Sequence, residues 1–185
     1  MQLKEDYICK IVIIGPYKVG KTCLVHRYTE GYFLGNAATT IGVDFALKRI
    51  NAYLTDKDET TSSICLQLWD FAGQLHYEFI LPYYIQGTNI IILAFDATNI
   101  ETFEILPRWV KTVRKYLPNV PIILVSTKND LGRSVPDKTI DEFMKKENIN
   151  QIFHTSSKTG ENIEKLFQSC VDYAIELITS HMLSS

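Results

Sequence analysis

Residues 15–22 read Gly15-Pro16-Tyr17-Lys18-Val19-Gly20-Lys21-Thr22. They fit the P-loop pattern of Gly, four spacers, Gly, Lys and then Ser or Thr, whose backbone cradles phosphate. The run before it, Lys10-Ile11-Val12-Ile13-Ile14, is apolar and β-branched, as a buried strand requires, and Cys23 to Tyr28 read as a helix starting directly after the Lys-Thr pair. Gly15 and Gly20 allow the loop amides to turn inward, and the helix N-terminus adds partial positive charge. Lys21 supplies a full charge for the β- and γ-phosphates, and Thr22 offers a hydroxyl to Mg²⁺. A Gly-containing turn with an incidental Lys-Thr would not need this strand-loop-helix setting. The stretch therefore predicts a nucleoside triphosphate site.

Working outward, 185 residues fit one domain over 1–185 with a single sizeable core. Apolar residues make up 46% and charged residues 22%, and 19 basic against 21 acidic residues leave a net charge of -2. That balance argues against a nucleic-acid or anionic-membrane surface. Cys9, Cys23, Cys65 and Cys170 lie far apart with no metal-ligand spacing, and read as reduced, buried hydrophobes. The longest apolar stretches, such as Ile90 to Phe95, are far shorter than the roughly 20 residues of a membrane span. The N-terminus MQLKEDY lacks a signal peptide's apolar core, Gln2 excludes myristoylation, and the last residues carry no cysteine for prenylation. The expectation is a cytoplasmic monomer with no intrinsic membrane anchor, reaching membranes only through partners or a further tail.

Along the chain, Gly31 to Thr40 mixes glycines and aromatics without period and reads as a surface loop. Val43 to Leu54 and Ile64 to Trp69 read as a hairpin with a long polar tip, Thr55 to Ser63. From there strands and helices alternate: strand Ile90 to Phe95, helix Glu101 to Tyr116, strand Ile122 to Val125, helix Asp137 to Glu147, strand Ile152 to His154. A last helix, Asn162 to about His181, puts Ile163, Leu166, Phe167, Cys170, Val171, Ala174, Ile175 and Ile178 on one face. Alternation of this kind predicts an α/β fold with a largely parallel sheet, whose ligands lie at the carboxyl ends of the strands.

Two segments choose the base. Thr127-Lys128-Asn129-Asp130 directly follows an apolar strand, and the Asp130 carboxylate can accept from the two donors on guanine's ring nitrogen and exocyclic amine, a pair adenine lacks. Thr155-Ser156-Ser157-Lys158 follows the last strand, where a backbone N–H can meet the guanine oxygen. With the P-loop, Asp70-Phe71-Ala72-Gly73-Gln74, TKND and SSK in this order, the sequence resembles the Ras superfamily of small GTPases over nearly its whole length. The segment Thr40-Ile41-Gly42-Val43-Asp44-Phe45, the strand Leu66 to Trp69 and the pair Tyr83-Tyr84 are most similar to the Rab branch.

The resemblance implies a P-loop small-GTPase fold, a mixed six-stranded sheet with helices on both faces, binding GTP or GDP with Mg²⁺. It implies Gly15, Lys18, Val19, Gly20, Lys21, Thr22 and Cys23 around the phosphates, Thr22, Thr40 and Asp70 at the metal, and Gly73 sensing the γ-phosphate. Gln74 would orient the attacking water, with Lys21, Thr40 and Gly73 completing the catalytic set. Phe33, Thr127, Lys128, Asp130, Ser156, Ser157 and Lys158 would hold guanine, and effector, exchange and GTPase-activating proteins would meet the switch loops.

Several positions depart from the family pattern. Thr127 stands where Asn is usual, Ser157 where Ala is usual, Phe71 where Thr is usual, and Leu75-His76-Tyr77 where Rab proteins carry Glu-Arg-Phe. The most consequential is Tyr17, in place of a small residue. Its bulk beside the γ-phosphate is expected to displace Gln74 and exclude an arginine finger, slowing hydrolysis; a ring swung outward would leave catalysis near the family's slow intrinsic rate. The reading is thus a slow GTP-hydrolysing switch, with a GTP-locked scaffold as the alternative and a P-loop nucleotide kinase as a distant third.

Overall fold

The apolar run before the P-loop forms β1 (Asp6–Ile14), the strand around which the sheet is built. The structure, a computed structural model, describes residues 6–35, 38–54 and 61–184. Ile11 and Ile13 point into one core cluster while Val12 and Ile14 point into another, which is why the stretch from Ile11 to Ile14 is apolar at every position rather than at alternate ones. β1 pairs in parallel with β3 (Ser62–Phe71) on one side and β4 (Ile90–Asp96) on the other. β2 (Val43–Ala52) joins β3 antiparallel, and β5 (Ile122–Thr127) and β6 (Gln151–His154) extend the far side in parallel. The result is the expected mixed six-stranded sheet, in the order β2-β3-β1-β4-β5-β6.

Helices cover both faces. α1 (Lys21–Glu30) and α6 (Ile163–Ser184) pack on the face carrying Ile11, Ile13, Leu66 and Leu68, with the Phe167 ring stacked on Tyr28 at 3.8 Å between centroids. α2 (Leu81–Tyr84), α3 (Ile100–Glu104), α4 (Leu106–Tyr116) and α5 (Asp137–Glu147) cover the other, where Phe71, Phe95, Phe103 and Trp109 form its aromatic centre. Burying these side chains contributes about 1.5 to 3 kcal/mol each, the main term against chain entropy.

Three departures from the sequence reading have local causes. The expected single helix over 101–116 is broken at Ile105, because Pro107 has no amide for the ladder and its ring would strike the carbonyl of Phe103. The first helix begins at Lys21 rather than after Thr22, capped by Gly20 in the left-handed region (φ 98°). Residues 75–84, left unassigned by the sequence, form a 3-10 turn (Leu75–Ile80) leading into α2, whose end is fixed by Lys10: its Nζ donates to the carbonyls of Tyr84 (2.6 Å) and Gln86 (2.8 Å). The two hairpin strands run from Val43 to Ala52 and from Ser62 to Phe71, and most of the expected polar tip lies outside the described residues.

Because β1, β3, β4, β5 and β6 all run the same way, their carboxyl ends share one edge of the sheet. The segments that follow β1, β3, β4, β5 and β6 meet there, and all but the one after β4 are segments singled out by sequence.

Candidate functional site

At that edge lies a cavity of about 560 Å³. Its floor is the P-loop. Gly15 passes so close to β4 that a Cβ there would fall 2.1 Å from the Ala94 carbonyl oxygen, so only glycine fits. Lys18 sits at φ 62°, a left-handed conformation that costs a non-glycine residue strain and turns the loop sharply. Lys21 is buried and donates to the carbonyls of Gly15 (2.8 Å) and Pro16 (2.7 Å), so its ammonium is folded into the loop it serves. Burial lowers its pKa to about 8, with the nearby Asp70 carboxylate opposing the shift.

Beside Lys21 is a compact oxygen cluster. The Thr22 hydroxyl lies 2.8 Å from that of Thr40 and donates to Asp70 Oδ2, which Thr40 approaches at 3.4 Å. Asp70 is 2% exposed and its Oδ1 has no hydrogen-bond partner; burial raises its pKa, with the Thr22 hydrogen bond, Lys21 and Thr40 pulling the other way. Among the described residues no group of three or more His, Cys, Asp or Glu side chains could hold a metal. One carboxylate with two hydroxyls nevertheless fits Mg²⁺, an ion that takes few protein ligands and completes its octahedron with water and substrate phosphate. The unsatisfied Oδ1 is the atom that such an arrangement would use.

The wall opposite carries Gly73 and Gln74. A Cβ on Gly73 would lie 2.4 Å from the Pro16 carbonyl and 2.5 Å from the Tyr17 nitrogen, so this segment touches the P-loop backbone to backbone. Gln74 lines the cavity, with an enclosed Oε1 that has no partner. Tyr17 also lines it, and its hydroxyl is 3.0 Å from Thr39 Oγ1 while 42% of the residue stays exposed.

The base end is held by hydrogen bonds between the strand termini. The Thr127 hydroxyl stands 2.5 Å from the Val19 carbonyl and 3.0 Å from that of Phe95, joining β5 to the P-loop and β4. Asn129 Nδ2 reaches the carbonyls of Ser126 (2.9 Å) and Thr155 (3.1 Å), stapling β5 to β6. Ser156 donates to Asp130 Oδ1 at 2.6 Å and accepts from the Thr159 amide at 3.1 Å, which fixes the carboxylate's orientation. Lys128 spans the cavity from β5 to the P-loop: its Nζ donates to the Lys18 carbonyl (2.9 Å) and to Asp96 Oδ2 (2.5 Å). Burial opposes ionisation of Asp96, yet the hydrogen bonds from Lys128 and Thr98 outweigh it and hold the pKa below the usual carboxylate value. Below this, Ser126 Oγ lies 2.7 Å from His154 Nδ1, and burial together with Arg133 lowers that histidine's pKa.

Most residues predicted from sequence line the cavity: Lys18, Gly20, Lys21, Thr22, Cys23, Phe33, Thr40, Gly73, Gln74, Thr127, Lys128, Asp130, Ser157 and Lys158. Gly15, Val19, Asp70 and Ser156 stand behind it, acting through the contacts just described. Cys23 is not one of the buried thiols; it is half-buried with Sγ 3.5 Å from the Leu34 carbonyl, whereas burial pushes Cys9 up to about 12. Sequence reasoning missed Asp96 and Thr39. For Asp96 a signal existed, an acid closing an apolar strand; for Thr39 none did.

A Ras family model matches residues 10–176. The chain is 38% identical to human Ras-related protein Rab-30, over 94% of this chain and 82% of that protein. It is 34% identical to GTP-binding protein ypt4 of Schizosaccharomyces pombe, over 94% and 74%, and 33% identical to Ras-related protein RABA4b of Arabidopsis thaliana, over 98% and 79%.

Proposed function

Because this chain belongs to the Ras family, is most like its Rab branch and is a GTP hydrolase, we propose that it is a slow switch using the cavity beside Lys21. One observation carries the reading: a buried lysine, a hydroxyl-carboxylate cluster and a Ser156-oriented Asp130 open onto or stand directly behind the same cavity. Lys21 and the loop amides take the phosphates. Thr22, Thr40 and Asp70 would hold Mg²⁺, whose charge would neutralise that of the phosphates. Asp130 accepts from guanine, Lys128 lies across its face and Phe33 against its edge.

In hydrolysis Gln74 Oε1 accepts a hydrogen bond from the attacking water and aims it, while Lys21 and the amides stabilise charge developing on the γ-phosphate oxygens. Departure of the γ-phosphate frees Thr40 and Gly73, and the two segments that carry them relax. Tyr17 supports slow turnover and, in the limit, a GTP-locked scaffold, since it shares the cavity with Gln74. Effectors, exchange factors and activating proteins meet the switch segments, where Ile41, Phe45, Phe79 and Tyr83 are exposed. No helix among the described residues is long and apolar enough to cross a membrane, and we place the monomer in the cytoplasm, at membranes through partners.

Chromatography of nucleotide released from the denatured, freshly purified protein tests the core claim. GDP or GTP in near-equimolar amount is expected, and ATP or no nucleotide overturns it.

A further inference from the structure

Tyr17 is the P-loop's departure from a small residue, and its hydroxyl crosses to another segment of the cavity wall. It reaches Thr39 Oγ1 at 3.0 Å, 22 residues away in sequence. Thr39 precedes Thr40, whose hydroxyl is 2.8 Å from Thr22 Oγ1 and 3.4 Å from Asp70 Oδ2. The next anchor on this segment is the Gly42 carbonyl, which accepts from the Ala72 amide at 2.8 Å. The root of the tyrosine is equally fixed: its nitrogen and the Pro16 carbonyl press on Gly73, leaving no room for a Cβ. The Lys18 ammonium stands 5.2 Å from the ring centroid and adds a cation–π attraction that steadies the ring.

We propose that Tyr17 is a latch: a positioning residue that ties the segment bearing Thr40 to the P-loop and so biases Thr40 toward its place beside Thr22 and Asp70, a tie additional to any contact with the γ-phosphate. The physical case is one of entropy. A loop residue that must find a metal ligand position loses conformational freedom each time it does so. A phenol with only two side-chain torsions, rooted against Gly73, imposes that loss in advance at small cost of its own. The bond joins two neutral hydroxyls at an exposed site, so the effect is modest, about fivefold in a rate or an equilibrium constant. The latch slows escape of a metal-bound nucleotide by keeping Thr40 in place, which differs from simple obstruction by the ring.

This inference rests on the cavity's being a GTP–Mg²⁺ site, and the experiment separates the two claims. Release of a fluorescent, non-hydrolysable GTP analogue is followed by stopped flow in excess Mg²⁺ for wild type, Tyr17→Phe, Thr39→Val, Thr39→Ser and the Phe/Val double variant. Tyr17→Phe keeps the ring and removes only the hydroxyl. The latch predicts that Tyr17→Phe and Thr39→Val each speed release about fivefold, that the double variant is no faster than either, and that Thr39→Ser restores the slow rate. Chelating Mg²⁺ with EDTA should erase the differences, because Thr40 then has no ion to hold. Unchanged release in Tyr17→Phe, or multiplying effects in the double variant, overturns the latch while leaving the nucleotide site intact. Failure of wild type to bind the analogue overturns the nucleotide reading and the latch with it.

Discussion

Asp130 is a choice of what to accept. One oxygen is turned by Ser156, itself fully buried and fixed by the Thr159 amide, so the carboxylate cannot rotate to suit another base. Replacing it by Asn swaps one acceptor for a donor pointed at guanine's own donors. We expect Asp130→Asn to lose about 1 to 3 kcal/mol of preference for GTP over ATP, the penalty of an unmatched polar pair. Competition binding against both nucleotides checks this, and undiminished discrimination would remove Asp130 from the base site. Thr127 shows how a substitution is absorbed: in place of the amide usual in the family, a shorter hydroxyl still reaches Val19 and Phe95. The geometry is preserved because β5 brings its end directly over the P-loop.

At the scale of elements, α6 is the piece whose sequence announced its role most fully. Its predicted apolar face is the face that packs, from Ile163 to Ala174 fully buried and at Ile175 and Ile178 partly so. Phe167, wholly enclosed and stacked on Tyr28, is its centre. Phe167→Ala should cost roughly 3 to 5 kcal/mol, the loss of an aromatic from a packed core. Urea unfolding monitored by circular dichroism should show an earlier midpoint, and a shift under 1 kcal/mol would mean that α6 is not seated as described. Elements with strong period or a motif were legible in the same way: β1, β4, β5, α5 and the P-loop helix. The turn and short helix over 75–84 were not, because Leu81-Pro82-Tyr83-Tyr84 has neither period, and the break at Pro107 was overridden by a good amphipathic pattern on both sides. In the site, single-segment motifs were legible, while the ties of Tyr17 to Thr39 and Lys128 to Asp96 join residues 22 and 32 apart and exist only once the sheet has assembled.

For the molecule as a whole, the cavity walls come from segments after four of the strands together with Phe33, Gly35 and residues 38–40, so a ligand there bridges the sheet edge. Binding to the native state alone stabilises it by mass action, about 4 kcal/mol at a thousandfold excess over Kd. GDP with Mg²⁺ should therefore raise Tm by roughly 8 to 16 °C, EDTA should reverse most of the rise, and ATP should give little. Differential scanning fluorimetry reads all three, and an equal rise with ATP would contradict guanine selectivity. The placing of α6 over one face of the sheet also bears on how the protein is made. Ile11, Ile13, Leu24 and Tyr28 leave the ribosome well before α6, the helix that packs over them. At about 5 to 20 residues per second that face waits for α6 on the order of ten to thirty seconds. The nascent chain thus passes through a stage in which this apolar face has α1 but lacks α6, and a holdase chaperone gains its window on this protein then.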